Sequence, residues 1–194
     1  MKEIGIEAFY NCENLRKVTF AEGSGLKKIK AGSFCKTEIE RMFIPRRVEE
    51  IQENAFLECK NLKEVVFEKE STLKTIGKEA FRNCSGLAEI GLPEGLEKIY
   101  LRAFKNTGLK NVEFPASLRT VGQGAFSSCR SLKTAKFNEG LEVLGTDEYM
   151  DGGRMWHGVF QASSIEQVEL PSTLKRIGYG AFESCNKLRS IALP

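Results

Sequence analysis

Apolar residues in this chain recur on two scales. The short scale is an alternation, as in Val65 and Phe67 or Val168 and Leu170, with one intervening residue each time. Period two marks a short strand with one face buried. The long scale repeats the whole pattern. An Ala-Phe step or a close variant aligns Phe9, Phe34, Phe56, Phe81, Phe104, Phe126, Phe160 and Phe182, at spacings of 25, 22, 25, 23, 22, 34 and 22 residues. Ser33 and Val159 stand in for the preceding Ala twice.

Other positions keep step with the Phe. Three residues after it come Cys12, Thr37, Cys59, Cys84, Thr107, Cys129, Ser163 and Cys185. An aliphatic residue and the strand follow, and Pro45, Pro93, Pro115, Pro171 and Pro194 close five of the strands. A second apolar pair then completes the unit, as in Leu26 and Ile29, Val48 and Ile51, or Leu96 and Ile99. The Ala-Phe segment is too short for an independent helix and is expected to form one helical turn or a 3₁₀ stretch. A unit of this size cannot bury its own apolar face, whereas stacked units bury each other's. The expected fold is therefore one solenoid over residues 1–194, with about eight modules.

This unit, IGxxAFxxCxxLxxVxF(P)xxLxxIG, resembles the leucine-rich repeat superfamily in its BspA-like, or Treponema-type, form. The resemblance spans residues 4 to 194. It implies an α/β repeat: a curved solenoid with a parallel sheet on the concave side and short helical or 3₁₀ turns opposite. It also implies a cell-surface or secreted setting and a role in adhesion and protein binding. No capping module is evident at either end, which points to a piece of a longer array. Exposed terminal modules of that kind are expected to stack end to end on other copies.

Composition narrows the chemistry. Lys and Arg number 29 against 26 Asp and Glu, too balanced for a protein whose main task is gripping nucleic acid. A single His excludes zinc sites that need two or more, and no CxxC or CxxH pair occurs, so no metal or cofactor is expected. No run approaches the roughly 20 apolar residues of a membrane helix, and the start lacks the apolar run of a signal peptide. No nucleophile, base and orienting group share a defensible spacing, so an enzyme is not expected. The five Cys of the ladder read as buried small side chains, because Thr and Ser substitute in their slot. Cys59 and Cys84 occupy that slot in adjacent modules, yet free thiols are expected there rather than a disulfide. Cys35 lies off the ladder without an assignment.

The repeat absorbs twelve of the 13 Phe, leaving Phe43 on the outward side of its strand, with Val66 as its expected neighbour. Glu64, Glu89 and Glu113 are expected to run beside this pair as an acidic stretch bounded by Arg41 and Lys136. An apolar spot rimmed by charge suits a protein-binding patch; a solvated face with a stray apolar pair is the plainer alternative. The 34-residue spacing marks an insertion at about 146–158 holding Tyr149, Trp156 and His157, the chain's only Trp and only His. It is a second candidate binding site, or a tolerated loop whose Trp packs back on the solenoid. The first functional expectation is a non-enzymatic protein-interaction module that binds through the concave face. A passive spacer within a longer array, and glycan binding by Tyr149 and Trp156, stay open beside it.

Overall fold

The computed structural model describes residues 1–145 and 158–194. Its strands, numbered in chain order, form two rows. The first row is an eight-stranded sheet of two-residue strands: β1 (Glu3–Ile4), β2 (Lys28–Ile29), β4 (Glu50–Ile51), β6 (Thr75–Ile76), β8 (Lys98–Ile99), β10 (Thr120–Val121), β12 (Val143–Leu144) and β14 (Arg176–Ile177). The second row follows the LxxVxF segments and divides into two sheets. One holds β3 (Arg41–Ile44), β5 (Glu64–Phe67) and β7 (Glu89–Ile90). The other holds β9 (Asn111–Phe114), β11 (Thr134–Phe137), β13 (Gln167–Glu169) and β15 (Ser190–Ile191).

All strand pairs are parallel, and the register superposes equivalent slots. Ile4 lies beside Ile29, Ile29 beside Ile51, and Ile51 beside Ile76. One residue of slip would turn every apolar side chain to the solvent, so the pattern pins the register. After the longer strand, a tight turn carries the chain towards the short-strand row. In it the Pro45, Pro93, Pro115 and Pro171 carbonyls accept from the amides three residues on, at 3.0–3.1 Å. The expected parallel solenoid of about eight modules is thus the observed architecture.

The Ala-Phe segment departs from expectation. No helix, α or 3₁₀, occurs among the described residues. The segment is a run of turns in which alternate amides take different partners. In the first module Ala8, Tyr10 and Cys12 donate back to Gly5, Glu7 and Phe9 at 3.0–3.3 Å. Between them, Glu7, Phe9 and Asn11 donate outward to the Ala31, Ser33 and Cys35 carbonyls of the next module at 2.8–2.9 Å. The Phe amide repeats this in every module that has a successor, from Phe34 to Ala55 through Phe160 to Ala181, at 2.7–2.8 Å.

A 3₁₀ helix would turn all of these amides inward. Aiming every second one at the neighbour requires left-handed backbone two residues before and two after the Phe. Glu7 and Asn11 have φ of 53° and 56°, Asn54 and Glu58 of 57° and 60°, and Gly124 and Ser128 of 59° each. Asn and Gly recur in these slots because they reach that region at least cost.

The Phe side chains form a continuous stack through the core. Successive ring centroids lie 5.1–5.6 Å apart from Phe9 to Phe182. That interval is close to the separation of hydrogen-bonded strands, so the backbone ladder sets the ring spacing. Phe34, Phe56, Phe81, Phe104, Phe126 and Phe160 are fully buried. Gly77 and Gly122, just before the turn, let adjacent backbones approach: a Cβ there would sit 2.6 Å from Gln52 C or Leu101 N.

The Cys slot stitches modules together. Cys59 Sγ donates to the Phe34 carbonyl, Cys84 to Phe56, Cys129 to Phe104 and Cys185 to Phe160, at 3.0–3.1 Å. Thr37 and Thr107 use their hydroxyls on their own module's Phe carbonyl, at 2.9 and 3.0 Å. All six Cys are free, including Cys59 and Cys84. Burial pushes the Cys84 and Cys129 thiols upward and that of Cys35 to about 11, so they stay protonated and unreactive at neutral pH. Cys35, unassigned from the sequence, is simply a buried residue on the turn.

Two outcomes follow from this packing. Phe81→Ala should cost about 3–5 kcal/mol in denaturant unfolding, with Phe81→Leu costing less. A thiol reagent should modify Cys12, the one exposed cysteine, within minutes, and the other five only after denaturation.

Candidate functional site

Because apolar slots face the core, the alternate residues of the longer strands must face out. The outward residues form two parallel lines. One carries Lys17, Arg41, Glu64 and Glu89, with Arg41 beside Glu64 and Glu64 beside Glu89. The other carries Phe43 beside Val66. Across the break between sheets, Asn111, Thr134, Gln167 and Ser190 continue the first line, and Glu113, Lys136 and Glu169 form the second.

The expected acidic stretch is therefore two separate features. Glu64 and Glu89 are direct neighbours in one sheet, whereas Glu113 stands two residues further along its strand in the other sheet. Charge is largely matched between modules. Arg41 Nε lies 2.9 Å from Glu64, and Lys136 Nζ lies 3.0 Å from Glu113. The hydrogen bond and charge of Lys136 hold the Glu113 carboxyl below its ordinary value and raise Lys136 in turn. Both pairs are exposed, so each adds little to stability.

Phe43 and Val66 do meet on the surface, and Phe43 is 45% exposed. They border a groove of about 650 Å³ lined also by Arg16, Lys17, Val18, Thr19, Glu40 and Arg41. At this groove the first module's longer segment pairs with β3 by the isolated bridge Lys17 to Arg41. Its rim has three cations and one carboxylate; Glu40 is held by Lys63 at 3.0 Å, and of the cations Arg41 is held by Glu64. A smaller hollow of about 340 Å³ marks the break between the sheets, lined by Glu64, Glu89, Gly91 and Asn111 among others.

The opposite, turn-bearing side holds a feature not anticipated from the sequence. Glu79 is buried and accepts from Arg82 at 2.8 Å and from Arg102 of the next module at 3.4 Å. Burial pushes its carboxyl upward, but the hydrogen bonds and charges of Arg82 and Arg102 outweigh this and hold it below the ordinary value. Burial and the same two arginines lower Lys105 nearby.

A sequence profile described as BspA type Leucine rich repeat region (6 copies) matches residues 1–73, 67–151 and 155–194. The chain belongs to the BspA-type leucine-rich repeat family. Among solved structures it is similar to a Treponema pallidum leucine-rich repeat protein, at 31% identity and TM-score 0.56, over 80% of this chain and 59% of that one. The pneumococcal vaccine antigen PcpA superposes at TM-score 0.58 and 23% identity, over 90% of this chain and 49% of that one. A leucine-rich repeat protein from Eubacterium ventriosum gives 0.55 at 17%, over 88% and 53%. These last two show the fold alone. The chain spans about half to three-fifths of the length of these structures. No curated protein matches it.

In this BspA-type solenoid, Tyr149, Trp156 and His157 lie outside the described residues, and the glycan reading rests on the first two. No helix among the described residues is long and apolar enough to cross a membrane. The Glu79 cluster left no trace in the sequence because Arg82 and Arg102 converge only when two modules stack.

Its stability contribution has a defined sign. Glu79 titrates lower in the folded chain than in the unfolded one, so the contribution is complete above the unfolded value of about 4.3 and is lost as acidification protonates the folded group. Glu79→Gln should therefore be destabilising at pH 7, and its difference from the native chain should close as pH falls below about 4. Urea unfolding across a pH series reads this directly.

Proposed function

We propose that this chain is a non-enzymatic protein-interaction module that engages its partner through the long-strand face, with Phe43 and Val66 as the apolar anchor. The leucine-rich repeat family to which it belongs is typical of such modules. The single observation that carries the reading is the exposed Phe43 beside Val66 at the margin of a 650 Å³ groove. Every other Phe of the chain occupies one of the repeat's two apolar slots. An aromatic side chain kept in water is a cost unless something covers it. Apolar centres with a charged rim are how protein interfaces are commonly built, and a few aromatic anchors carry most of their energy.

Arg16 and Lys17 on the groove rim favour a partner segment with acidic residues flanking an apolar one. Glu64, Glu89, Glu113 and Lys136 lie along the same face and would tune orientation and on-rate more than affinity. A cell-surface or secreted setting, and an adhesive role, belong to this proposal; they are what the family resemblance implies.

Selection of short displayed peptides against the folded chain tests the reading. Peptides rich in apolar and acidic residues should be recovered. Their affinity should fall more than about tenfold on Phe43→Asp and change little on Lys136→Ala. Recovery of binders that ignore Phe43→Asp would refute this face as the site.

A further inference from the structure

The residue directly after a short strand donates its amide to the carbonyl that ends the short strand before. Gly77 donates to Ile51 at 2.7 Å, Tyr100 to Ile76 at 2.9 Å and Gly122 to Ile99 at 2.8 Å. The register of β6, β8 and β10 puts Gly77 and Gly122 on either side of Tyr100 in this slot. Neither glycine leaves room for a side chain. A Cβ at Gly77 would lie 2.6 Å from Gln52 C, and one at Gly122 would lie 2.6 Å from Leu101 N. The close approach of the backbones therefore clears the slot on both flanks of the Tyr100 ring. Tyr100 is 46% exposed, and its hydroxyl bonds to no described residue.

On the Gly77 side lies a hollow of about 500 Å³ that Tyr100 helps to line. That volume falls within the range of about 300–1,000 Å³ usual for ligand sites. Its charged lining is Lys28, Lys74 and Lys78 with Glu49, Glu50 and Glu53, so three cations balance three carboxylates. Lys28 lies 3.3 Å from Glu50 and Lys78 3.5 Å from Glu53. Lys74 and Glu49 find their partners just outside the lining, in Glu97 and Lys27 at 2.8 and 2.9 Å.

This balance selects the ligand. An anion entering the hollow meets a carboxylate close to each ammonium, and a cation meets the reverse. A neutral ligand rich in hydroxyls meets neither penalty, because each hydroxyl can donate to a carboxylate and accept from an ammonium. The exposed ring adds a flat apolar surface that water covers at a cost. A pyranose ring matches both features, with C–H groups on one face and hydroxyls around its edge.

We propose that the short-strand face of this chain binds a neutral saccharide, seated over Gly77 with one sugar ring stacked on Tyr100. The site shares no residue with the Phe43 groove and uses neither Tyr149 nor Trp156.

A glycan array probed with the 194-residue chain reads the ligand class. Neutral oligosaccharides should be retained ahead of sialylated and sulfated ones. Titration calorimetry with the best neutral binder then reads the place. Tyr100→Ala should weaken binding more than about tenfold, whereas Tyr100→Phe, which keeps the ring, should stay within about threefold. Phe43→Asp should leave binding unchanged. So should a rise from about 0.05 to 0.5 M salt, because no ion is exchanged. A reading on the unmodified chain needs no variant. The saccharide should shield Tyr100 from nitration by tetranitromethane, located by peptide mass mapping, and leave the exposed Tyr10 reactive. The absence of a neutral binder, a preference for charged glycans, or an affinity that falls with salt would overturn the proposal. So would binding that ignores Tyr100→Ala, needs Phe43 or is lost equally in Tyr100→Phe, or nitration of Tyr100 undiminished by the sugar.

Discussion

Every second amide of the Ala-Phe turn is aimed out of its own module at a carbonyl of the next. The architecture depends on that division. A turn that closed all its bonds internally would be a 3₁₀ segment, and adjacent modules would touch there only through side chains. Diverting alternate amides makes the turn a third ladder beside the two strand rows. A module in isolation would leave these amides, and one face of its Phe, to water. Stability is therefore a property of the stack, as in other quasi-one-dimensional proteins.

The remaining repeat positions serve that ladder. The small thiol or hydroxyl three residues after the Phe bonds the very Phe carbonyls that the close approach buries. Gly77 and Gly122 clear the space that two backbones need to come together. Ring spacing in the core is inherited from strand spacing, which is why a single aromatic residue recurs without variation in all eight modules. Lateral ion pairs such as Lys27 with Glu49 and Lys74 with Glu97, at 2.9 and 2.8 Å, align along the same axis but are exposed and contribute little.

On this scaffold the residues left free of packing are those the ladders do not use. The outward residues of the longer strands are free of packing duties, so their composition can vary without cost to the fold. There the chain places mostly matched charge, one exposed aromatic residue, and a groove where the first module's longer segment meets β3 at the single bridge Lys17 to Arg41. A break between two sheets falls on the same face, at Gly91, where β7 ends after two residues. The repeat family supplies the rigid frame, and the proposed site is drawn from the few residues without slot obligations.

Much of this could be read from residue order alone. A pattern repeated eight times, with alternation inside each unit, leaves one arrangement that buries every apolar slot. The parallel stack, its register, the buried free thiols and the exposure of Phe43 all follow from that, because slot identity and period decide them. Whatever depends on two modules at once needed the tertiary structure. The outward amides replaced the expected helical turn because hydrogen bonds to a neighbour compete with local ones, and the only mark they leave in the sequence is a recurrence of Asn and Gly in two slots. Likewise Glu113 parted from Glu64 and Glu89, and Arg82 and Arg102 closed on Glu79, through distances across modules. Periodicity specifies which residues share a slot; the lateral contacts between slots are decided only when the modules stack.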